Sequence, residues 1–238
     1  IPGVHTWSRS VGHFCGDLTL VTRSTDGRIY LMLGDFTGHG LPAALGAVPA
    51  TGVFLPMAQK GLALEDIARE LDTRLSDLLP VGYFCCAVLA TYTPRDGTLA
   101  LWNGGMPPVM IRRGDSGRVD EYGSDHLPLA VLRDDAPFEA RITRARLSAQ
   151  DCLLAFSDGL IERTDAQGHP WGLDRLRQVL TDATVPGQRL ESVRAELEQF
   201  AGRDAAQDDI SVVELCPAAL VGSTRRTQAV ADPAPDPV

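Results

Sequence analysis

The sequence has little of what several common classes of protein need. Only 6% of its 238 residues are aromatic, and five are histidine. No apolar run reaches the roughly 18 residues that a membrane-spanning helix requires, and we find no internal repeat. The phosphate-binding patterns GxxxxGK[ST] and GxGxxG after a strand are absent, which argues against ATP or dinucleotide binding. No Ser-His-Asp or Cys-His arrangement points to covalent catalysis.

Cysteine is also scarce, and its spacing is unlike that of a metal site. The five cysteines include no CxxC pair, and their number is odd, so a structural zinc ion is not expected. Cys85 and Cys86 are adjacent in an apolar run that predicts a strand, so their side chains should point to opposite faces. We expect buried, reduced thiols in a cytoplasmic protein.

Acidic residues outnumber basic residues. The formal net charge is −9, which argues against non-specific nucleic-acid binding, and neither a nucleic acid nor a membrane is an expected partner. The length and the 44% hydrophobic content predict a globular fold with one large domain or two small ones. The chain begins Ile-Pro without an initiator methionine or a signal-like segment, so we expect further domains upstream.

Hydrophobic periodicity predicts many antiparallel strands and paired helices, which is typical of an α+β layered fold. The runs at 17–23 and 28–34 are joined by the hairpin signal Asp26-Gly27, which places Asp17 and Asp35 at the ends of neighbouring strands. We interpret the runs at 83–93, 97–103 and 108–113 as a meander. Further strands are expected at 138–146, 151–157 and 209–215, and helices at 41–60, 64–79, 172–183 and 189–201.

Two helices and the C-terminus carry more specific predictions. In the helix at 64–79 the apolar side chains share one stripe, formed by Ile67, Leu71, Leu75 and Leu78. The helix at 41–60 consists mostly of small and apolar residues, and we expect it to bend at Pro49 or Pro56. The Pro- and Ala-rich residues 217–238 are expected to be a tail, which leaves residues 1–216 as the domain.

Four short aspartate motifs lie far apart in the chain, and three of them follow or begin an apolar run. Strands that end in a carboxylate form, when brought together, a pocket of hard oxygen ligands. Such a pocket suits Mg²⁺ or Mn²⁺ better than Zn²⁺. Two ions a few ångströms apart activate water and hold a phosphoryl group. The motifs are Cys15-Gly16-Asp17, the run at 34–40, Ser157-Asp158-Gly159 and Asp208-Asp209-Ile210.

The flanks of these motifs resemble a known family. The matching segments are GDFTGHGLPAAL (34–45), NGGMPP (103–108), LLAFSDGLIE (153–162), WGLDRL (171–176) and QDDISVVEL (207–215). They resemble the metal-dependent phosphatases of the protein phosphatase 2C (PP2C) superfamily, in their bacterial SpoIIE-like branch. The resemblance implies a four-layer α-β-β-α sandwich of two antiparallel sheets, with two Mn²⁺ or Mg²⁺ ions at one end between the sheets.

The resemblance also implies which residues hold the metals. Asp35 would bridge both ions, and of the adjacent acids near the C-terminus Asp208 is favoured as a ligand, while Asp209 would orient the loop. The aspartates would serve as the catalytic residues because they hold the ions. The full implied ligand set is Asp17, Asp35, the backbone carbonyl of Phe36, Asp158 and Asp208.

Each of these acids also has an ordinary structural interpretation. Asp35 would cap the helix that follows it, and Asp17 would protect a sheet edge with its charge. Asp158 would belong to an Asp-Gly turn, and the Asp208-Asp209 pair to a solvated loop. The order of the four motifs and their flanks favours metal binding over these alternatives.

The sequence departs from the family pattern at two informative positions. Leu20 stands where the family often has a second acid, and Met106 stands where it usually has histidine. Methionine neither donates a proton nor binds a hard metal. We interpret His39 as a structural residue of the glycine turn, with a general-acid function as the alternative.

The resemblance implies a phosphoserine/phosphothreonine protein phosphatase in bacterial signalling. Its phosphorylated protein substrate would be an anti-sigma-factor antagonist of the STAS type or a similar regulator, and an upstream receiver or sensor domain would control it. A homodimer is a further expectation. We expect regulation to act through the helix at 41–60, unless this is simply a core helix. Two alternatives stay open: a catalytically weak or idle module that binds a partner, and a metal phosphohydrolase of small molecules.

Overall fold

The computed structural model describes residues 1–10, 15–38, 41–132, 138, 140–183, 185, 188–201 and 208–220. Their strands are β1 (Val4–Arg9), β2 (Asp17–Arg23), β3 (Ile29–Phe36), β4 (Cys85–Thr93), β5 (Thr98–Gly104), β6 (Val109–Arg112), β7 (Val119–Tyr122), β8 (Thr143–Arg146), β9 (Cys152–Phe156) and β10 (Ile210–Leu215). Their helices are α1 (Leu41–Gln59), α2 (Leu64–Leu78), α3 (Gly172–Asp182) and α4 (Gln188–Ala201).

The strands form two five-stranded antiparallel sheets. The β3 sheet has the order β2-β3-β4-β5-β8, and the β10 sheet has the order β1-β10-β9-β6-β7. Helices α1 and α2 pack on the outer face of the β3 sheet, and α3 and α4 pack on the outer face of the β10 sheet. The predicted four-layer α-β-β-α sandwich is confirmed.

Alternation along β3 explains the layers. Tyr30 and Met32 are buried against α1 and α2, whereas Leu31 and Leu33 are buried in the core between the two sheets. Because side chains alternate across a strand, a strand buried on both faces is apolar nearly throughout, as β3 is. Asp35 continues the row of Leu31 and Leu33, so its carboxylate emerges at one end of the space between the sheets.

Helix α2 shows the predicted apolar stripe with one error. Ile67, Leu71 and Leu75 are fully buried. Leu78, which the stripe included, is 58% exposed, and Leu79 just beyond the helix is buried instead. The chain leaves helical geometry after Leu78, since Leu79 has an extended backbone, and the helical period no longer decides which side chain points inward.

The meander interpretation is wrong. Strands β4 and β5 are neighbours in the β3 sheet, but β6 lies in the β10 sheet between β7 and β9. Between β5 and β6 the chain passes Gly105, whose φ is +82°, and then Pro107 and Pro108. Proline has no N–H for a ladder, so this segment ends pairing in one sheet and carries the chain to the other.

Other differences concern weakly patterned segments. The sequence analysis did not identify β1 or β7, both of which are edge strands with few buried side chains. The expected strand at 138–146 forms only over Thr143–Arg146. Residues 221–238 of the expected tail lie outside the described residues, and Leu220 before them is buried. No helix of the described chain has the length and apolar character to cross a membrane.

Candidate metal centre

Two of the four aspartates are direct neighbours across β2 and β3. The register pairs Asp17 with Asp35, and side chains of directly paired residues lie on the same face of a sheet. On the other side of β3, Asp35 is paired with Cys86 of β4. Asp17, Asp35 and Cys86 therefore form one row at the end of the β3 sheet, facing the β10 sheet.

The β10 sheet supplies the other two aspartates at the same end. Asp158 follows β9 and begins a short 3₁₀ helix, Asp158–Leu160, while Asp208 precedes β10. Asp158 and Asp208 both raise the pKa of Asp35 through their charges. The fold thus brings all four sequence-predicted carboxylates together from four separate segments of the chain.

Ser157 fastens the two sheets to each other at this point. Its hydroxyl donates to Asp17 Oδ2 at 2.8 Å and accepts from the backbone N–H of Ser211 in β10 at 2.9 Å. The side chain is fully buried. The sequence analysis assigned no function to Ser157, although it stands inside the Ser-Asp-Gly motif. Its contact with Asp17 depends on sheet packing, which the sequence does not show.

The adjacent acids Asp208 and Asp209 have different surroundings. Asp209 is buried, and its Oδ2 accepts from the backbone N–H of Gly16 at 2.6 Å. Asp208 is exposed, and its Oδ1 accepts from the N–H of Asp209 at 2.8 Å. Asp209 therefore connects the start of β10 to the segment before Asp17. This contact supports the hypothesis that Asp209 orients the loop and Asp208 is the ligand.

Glycine is required beside these acids because backbones approach closely. A Cβ on Gly159 would collide with the backbone carbonyl of Asp209. A Cβ on Gly16 would come within 3.4 Å of the Phe36 carbonyl oxygen. The Phe36 carbonyl, which the resemblance implies is a ligand, therefore lies next to the segment that carries Asp17.

The electrostatics of the centre are those of carboxylates crowded together and partly buried. Burial, then the charges of Asp17, Asp158, Asp208 and Asp209, raise the pKa of Asp35 to about 7. Burial also raises the pKa of Asp17 to about 6, although the hydroxyl of Ser157 opposes the shift. Burial and Asp208 raise the pKa of Asp158.

These shifts favour an oxygen-binding cation at the centre. The largest contributions to the pKa shifts of Asp17, Asp35 and Asp158 come from burial, hydrogen bonds and other aspartates, and no arginine, lysine or histidine of the described residues is among them. Crowded carboxylates without a cation are costly to ionise. A donor set of carboxylates and a backbone carbonyl matches Mg²⁺ and Mn²⁺. The thiol in the row, Cys86, has a pKa that burial and the charges of Asp35 and Asp158 raise to about 11, so it does not offer the thiolate that zinc prefers.

The two departures from the family pattern have different surroundings. Leu20 packs on the helix side of the β3 sheet, the opposite face from Asp17, so an acid there would not join the row. Met106 is buried in the core between the sheets, and its N–H donates to the side-chain oxygen of Asn103 at 3.1 Å. His39 and Gly40 lie outside the described residues.

The raised pKa values predict an unusual pH dependence for the metal-free protein. An unfolded aspartate has a pKa of 3.8, whereas Asp17 and Asp35 have values of about 6 and about 7 when folded. Between about pH 4 and 7 the folded protein therefore holds protons that the unfolded chain has released. Its stability should fall as pH rises through this window.

Thermal melts in a chelator test this prediction. We expect a melting temperature several degrees lower at pH 8 than at pH 5, and a smaller difference in the Asp35→Asn variant. With saturating Mn²⁺ the trend should reverse, because the ion binds the deprotonated carboxylates. If the melting temperature of the metal-free protein rises from pH 5 to pH 8, the raised pKa values of Asp17 and Asp35 are contradicted.

Comparisons with known proteins identify the family of the chain. The family model of Stage II sporulation protein E (SpoIIE) matches residues 25–217. Stage II sporulation protein E of Priestia megaterium is 24% identical over 164 residues, which cover 67% of this chain and 26% of that protein. The chain therefore spans about a quarter of the length of this relative.

Solved structures share the fold at low sequence identity. The PP2C domain of SiaA from Pseudomonas aeruginosa matches with a TM-score of 0.78 and 20% identity, over 90% of this chain and 85% of that domain. RsbX in complex with magnesium matches with a TM-score of 0.67 and 13% identity, over 89% of this chain and 92% of that one. At these identities the structural matches establish the fold alone.

Proposed function

Because the chain belongs to the SpoIIE family, whose model covers residues 25–217, we propose that it is a metal-dependent phosphatase of phosphoserine and phosphothreonine residues in proteins. The observation that carries the proposal is the convergence of Asp17, Asp35, Asp158 and Asp208 at one end of the sandwich. Their mutual effect on pKa indicates a site that a divalent cation would neutralise.

Each donor has a defined task in this proposal. Asp35, the central and most perturbed carboxylate, would bridge two Mn²⁺ or Mg²⁺ ions. Asp17 and the Phe36 carbonyl approach from the β3 sheet, and Asp158 and Asp208 from the β10 sheet. When bound, such ions act as Lewis acids, which lower the pKa of a water and neutralise phosphoryl oxygens. Ser157 and Asp209 would hold Asp17 and its backbone in place.

A phosphate-release assay with and without metal tests the proposal. The substrate is a STAS-type protein phosphorylated on serine, with p-nitrophenyl phosphate and free phosphoserine as small-molecule comparisons. We expect release from the phosphoprotein with Mn²⁺ and loss of release in EDTA. Turnover of only the small molecules would favour a small-molecule phosphohydrolase, and bound metal without turnover of any substrate would favour the idle module.

The idle-module alternative loses the part of its motivation that rested on Leu20. It rested on Leu20 and Met106, which face the helix layer and the core between the sheets. Neither position is part of the carboxylate row. The proposed phosphatase therefore retains its implied ligands despite both departures.

The wider setting is part of the same proposal. A phosphorylated regulator such as a STAS-type anti-sigma-factor antagonist is the proposed substrate, and an upstream receiver or sensor domain is the proposed source of control. We place the protein in the cytoplasm, where such regulators act. Binding of the phosphorylated and unphosphorylated STAS protein to the Asp35→Asn variant would show whether the partner is recognised.

Helix α1 offers a route for that control because it touches the centre through Phe36. A Cβ on Gly46 would stand 2.5 Å from Cδ1 of the buried Phe36 ring. A residue with a side chain fits at position 46 only if the Phe36 ring moves. The backbone carbonyl of the same residue is a proposed ligand, so a shift of α1 is transmitted to the metal centre over one residue.

A pair of matched substitutions tests this coupling. Gly46→Ala should displace the Phe36 ring and raise the Mn²⁺ concentration for half-maximal turnover several-fold. Gly52→Ala is the control, because a Cβ there meets open space on the same helix, and it should stabilise the protein by about 0.4–1 kcal/mol without altering metal dependence. If both variants keep the wild-type metal dependence while Gly46→Ala loses stability, α1 is only a core helix.

A further inference from the structure

Two cysteines lie opposite each other at the end of the β10 sheet remote from the metal centre. The ladder pairs Leu153 of β9 with Leu215 of β10, so Cys152 and Cys216 are opposite at the next position. Their sulfurs are 2.6 Å apart. Asp158 is six positions after Cys152, a distance of about 20 Å along an extended strand.

The pair is buried within a small charged cluster. Cys152 is 4% exposed and Cys216 is fully buried. Arg189, in the first turn of α4, donates from Nη1 to the Cys152 sulfur at 2.7 Å and to Glu214 Oε1 at 3.0 Å. The cluster therefore contains two sulfurs, one buried cation and one buried carboxylate.

This arrangement argues against a metal ion at the cluster. Cys152, Glu214 and Cys216 present ligand atoms within 4.8 Å of one another, which is close enough for coordination. However, the Arg189 guanidinium contacts both sulfurs and the carboxylate, at 2.7, 3.8 and 3.0 Å. A second cation there would have to displace a guanidinium that already neutralises Glu214.

The two sulfurs differ in their surroundings. The hydrogen bond with Cys152, then burial, raise the pKa of Cys216 well above the ordinary thiol value. The positive charge of Arg189 lies against the other sulfur.

We propose that Cys152 and Cys216 are an oxidative modification site that forms an intramolecular disulfide when the protein meets a peroxide. The Cys152 sulfur attacks one peroxide oxygen and the O–O bond breaks. The other oxygen leaves with the thiol proton, as water when the oxidant is hydrogen peroxide, and the sulfur becomes a sulfenic acid. Cys216 then attacks that sulfur, and the hydroxyl group leaves with the Cys216 proton as water. Facing positions of an antiparallel ladder are close enough for a disulfide.

The disulfide would join the far ends of β9 and β10, the two strands that carry Asp158 and Asp208 at their other ends. It would leave the row of carboxylates untouched. The modification should therefore stabilise the fold without removing activity. The inference does not depend on the proposed phosphatase function, since its readouts are thiol chemistry and thermal stability.

Treatment of the native protein with hydrogen peroxide tests the proposal. Non-reducing peptide mapping should recover the peptide of Cys152 linked to that of Cys216. The melting temperature should rise by roughly 5–10 °C, because the bridge closes a long loop, and dithiothreitol should restore the original value. The Cys152→Ser variant should show neither the linked peptide nor the rise.

Cys85→Ser is the matched control, because Cys85 is also a buried free thiol but lies in the β3 sheet. This variant should still form the bridge. Mapping of the wild-type protein decides the matter even if Cys152→Ser fails to fold. The proposal is overturned if both thiols stay free while other cysteines are oxidised, or if the purified protein holds one zinc ion that Cys152→Ser releases.

Discussion

The Asp35→Asn variant should lose Mn²⁺-dependent phosphate release by about 10³-fold or more. Asp35 is paired with Asp17 across β2 and β3, and the charges of Asp158 and Asp208 contribute to its raised pKa. It therefore occupies the middle of the proposed centre. Metal ions supply several kcal/mol of transition-state stabilisation, and each 1.36 kcal/mol corresponds to about tenfold in rate. An amide cannot bridge two cations as a carboxylate does.

Titration calorimetry with Mn²⁺ separates loss of metal from loss of fold. We expect Asp35→Asn to bind at least one ion fewer than the wild type. Asp72→Asn is the control, since Asp72 also has a pKa raised by burial but lies on α2, where it accepts from the N–H of Ala130. Its metal binding should match the wild type. Wild-type Mn²⁺ affinity in Asp35→Asn would refute the bridging function.

The second large effect is expected for Asp158→Asn and Asp208→Asn, which should remove activity while preserving the fold. The two acids repel each other and Asp35 in the metal-free state. After burial, the charge of Asp208 raises the pKa of Asp158, and the charges of both raise the pKa of Asp35. Removing one charge should therefore raise the melting temperature in chelator. In saturating Mn²⁺ the order should reverse, since the variant gains less from the ion.

The neighbouring Asp209 is the internal comparison for this prediction. It is buried and accepts the Gly16 N–H, so Asp209→Ala should lower stability in chelator and in metal alike. Asp208→Asn should leave stability in chelator unchanged or higher. A strong drop in the metal-free melting temperature of Asp158→Asn would show that this residue is structural, and a drop for Asp208→Asn would reverse the assignment within the acidic pair.

Local patterns predicted the elements that position the β3-sheet half of the site. The alternation at 17–23 and the turn at Asp26-Gly27 fix the β2–β3 hairpin, and a hairpin determines its own register. The facing positions of Asp17 and Asp35 follow from sequence because the contact is local. The resemblance supplied the four-layer fold and Asp158 and Asp208, which periodicity alone does not bring together.

Contacts between segments that are far apart in the chain could not be predicted from the sequence. The move of β6 into the β10 sheet depends on which strand edge is free, and a strand pattern does not state its partner. The hydrogen bond from Ser157 to Asp17 joins residues 140 positions apart, and that from Gly16 to Asp209 joins residues 193 apart. The opposed sulfurs of Cys152 and Cys216 escaped the search for short cysteine spacings for the same reason.

The position of β10 has a consequence for how the protein folds during its synthesis. This strand is the last in the described chain, yet it lies inside its sheet, between β1 near the N-terminus and β9. While the chain is being synthesised, β1 has no partner in that sheet and Asp17 lacks the serine bridge that Ser211 in β10 helps to hold. Long-range strand pairing of this kind is slow and leaves edges exposed. The proposed metal centre is therefore completed only when β10 has been made, and a nascent chain released before that point should lack the proposed phosphatase activity.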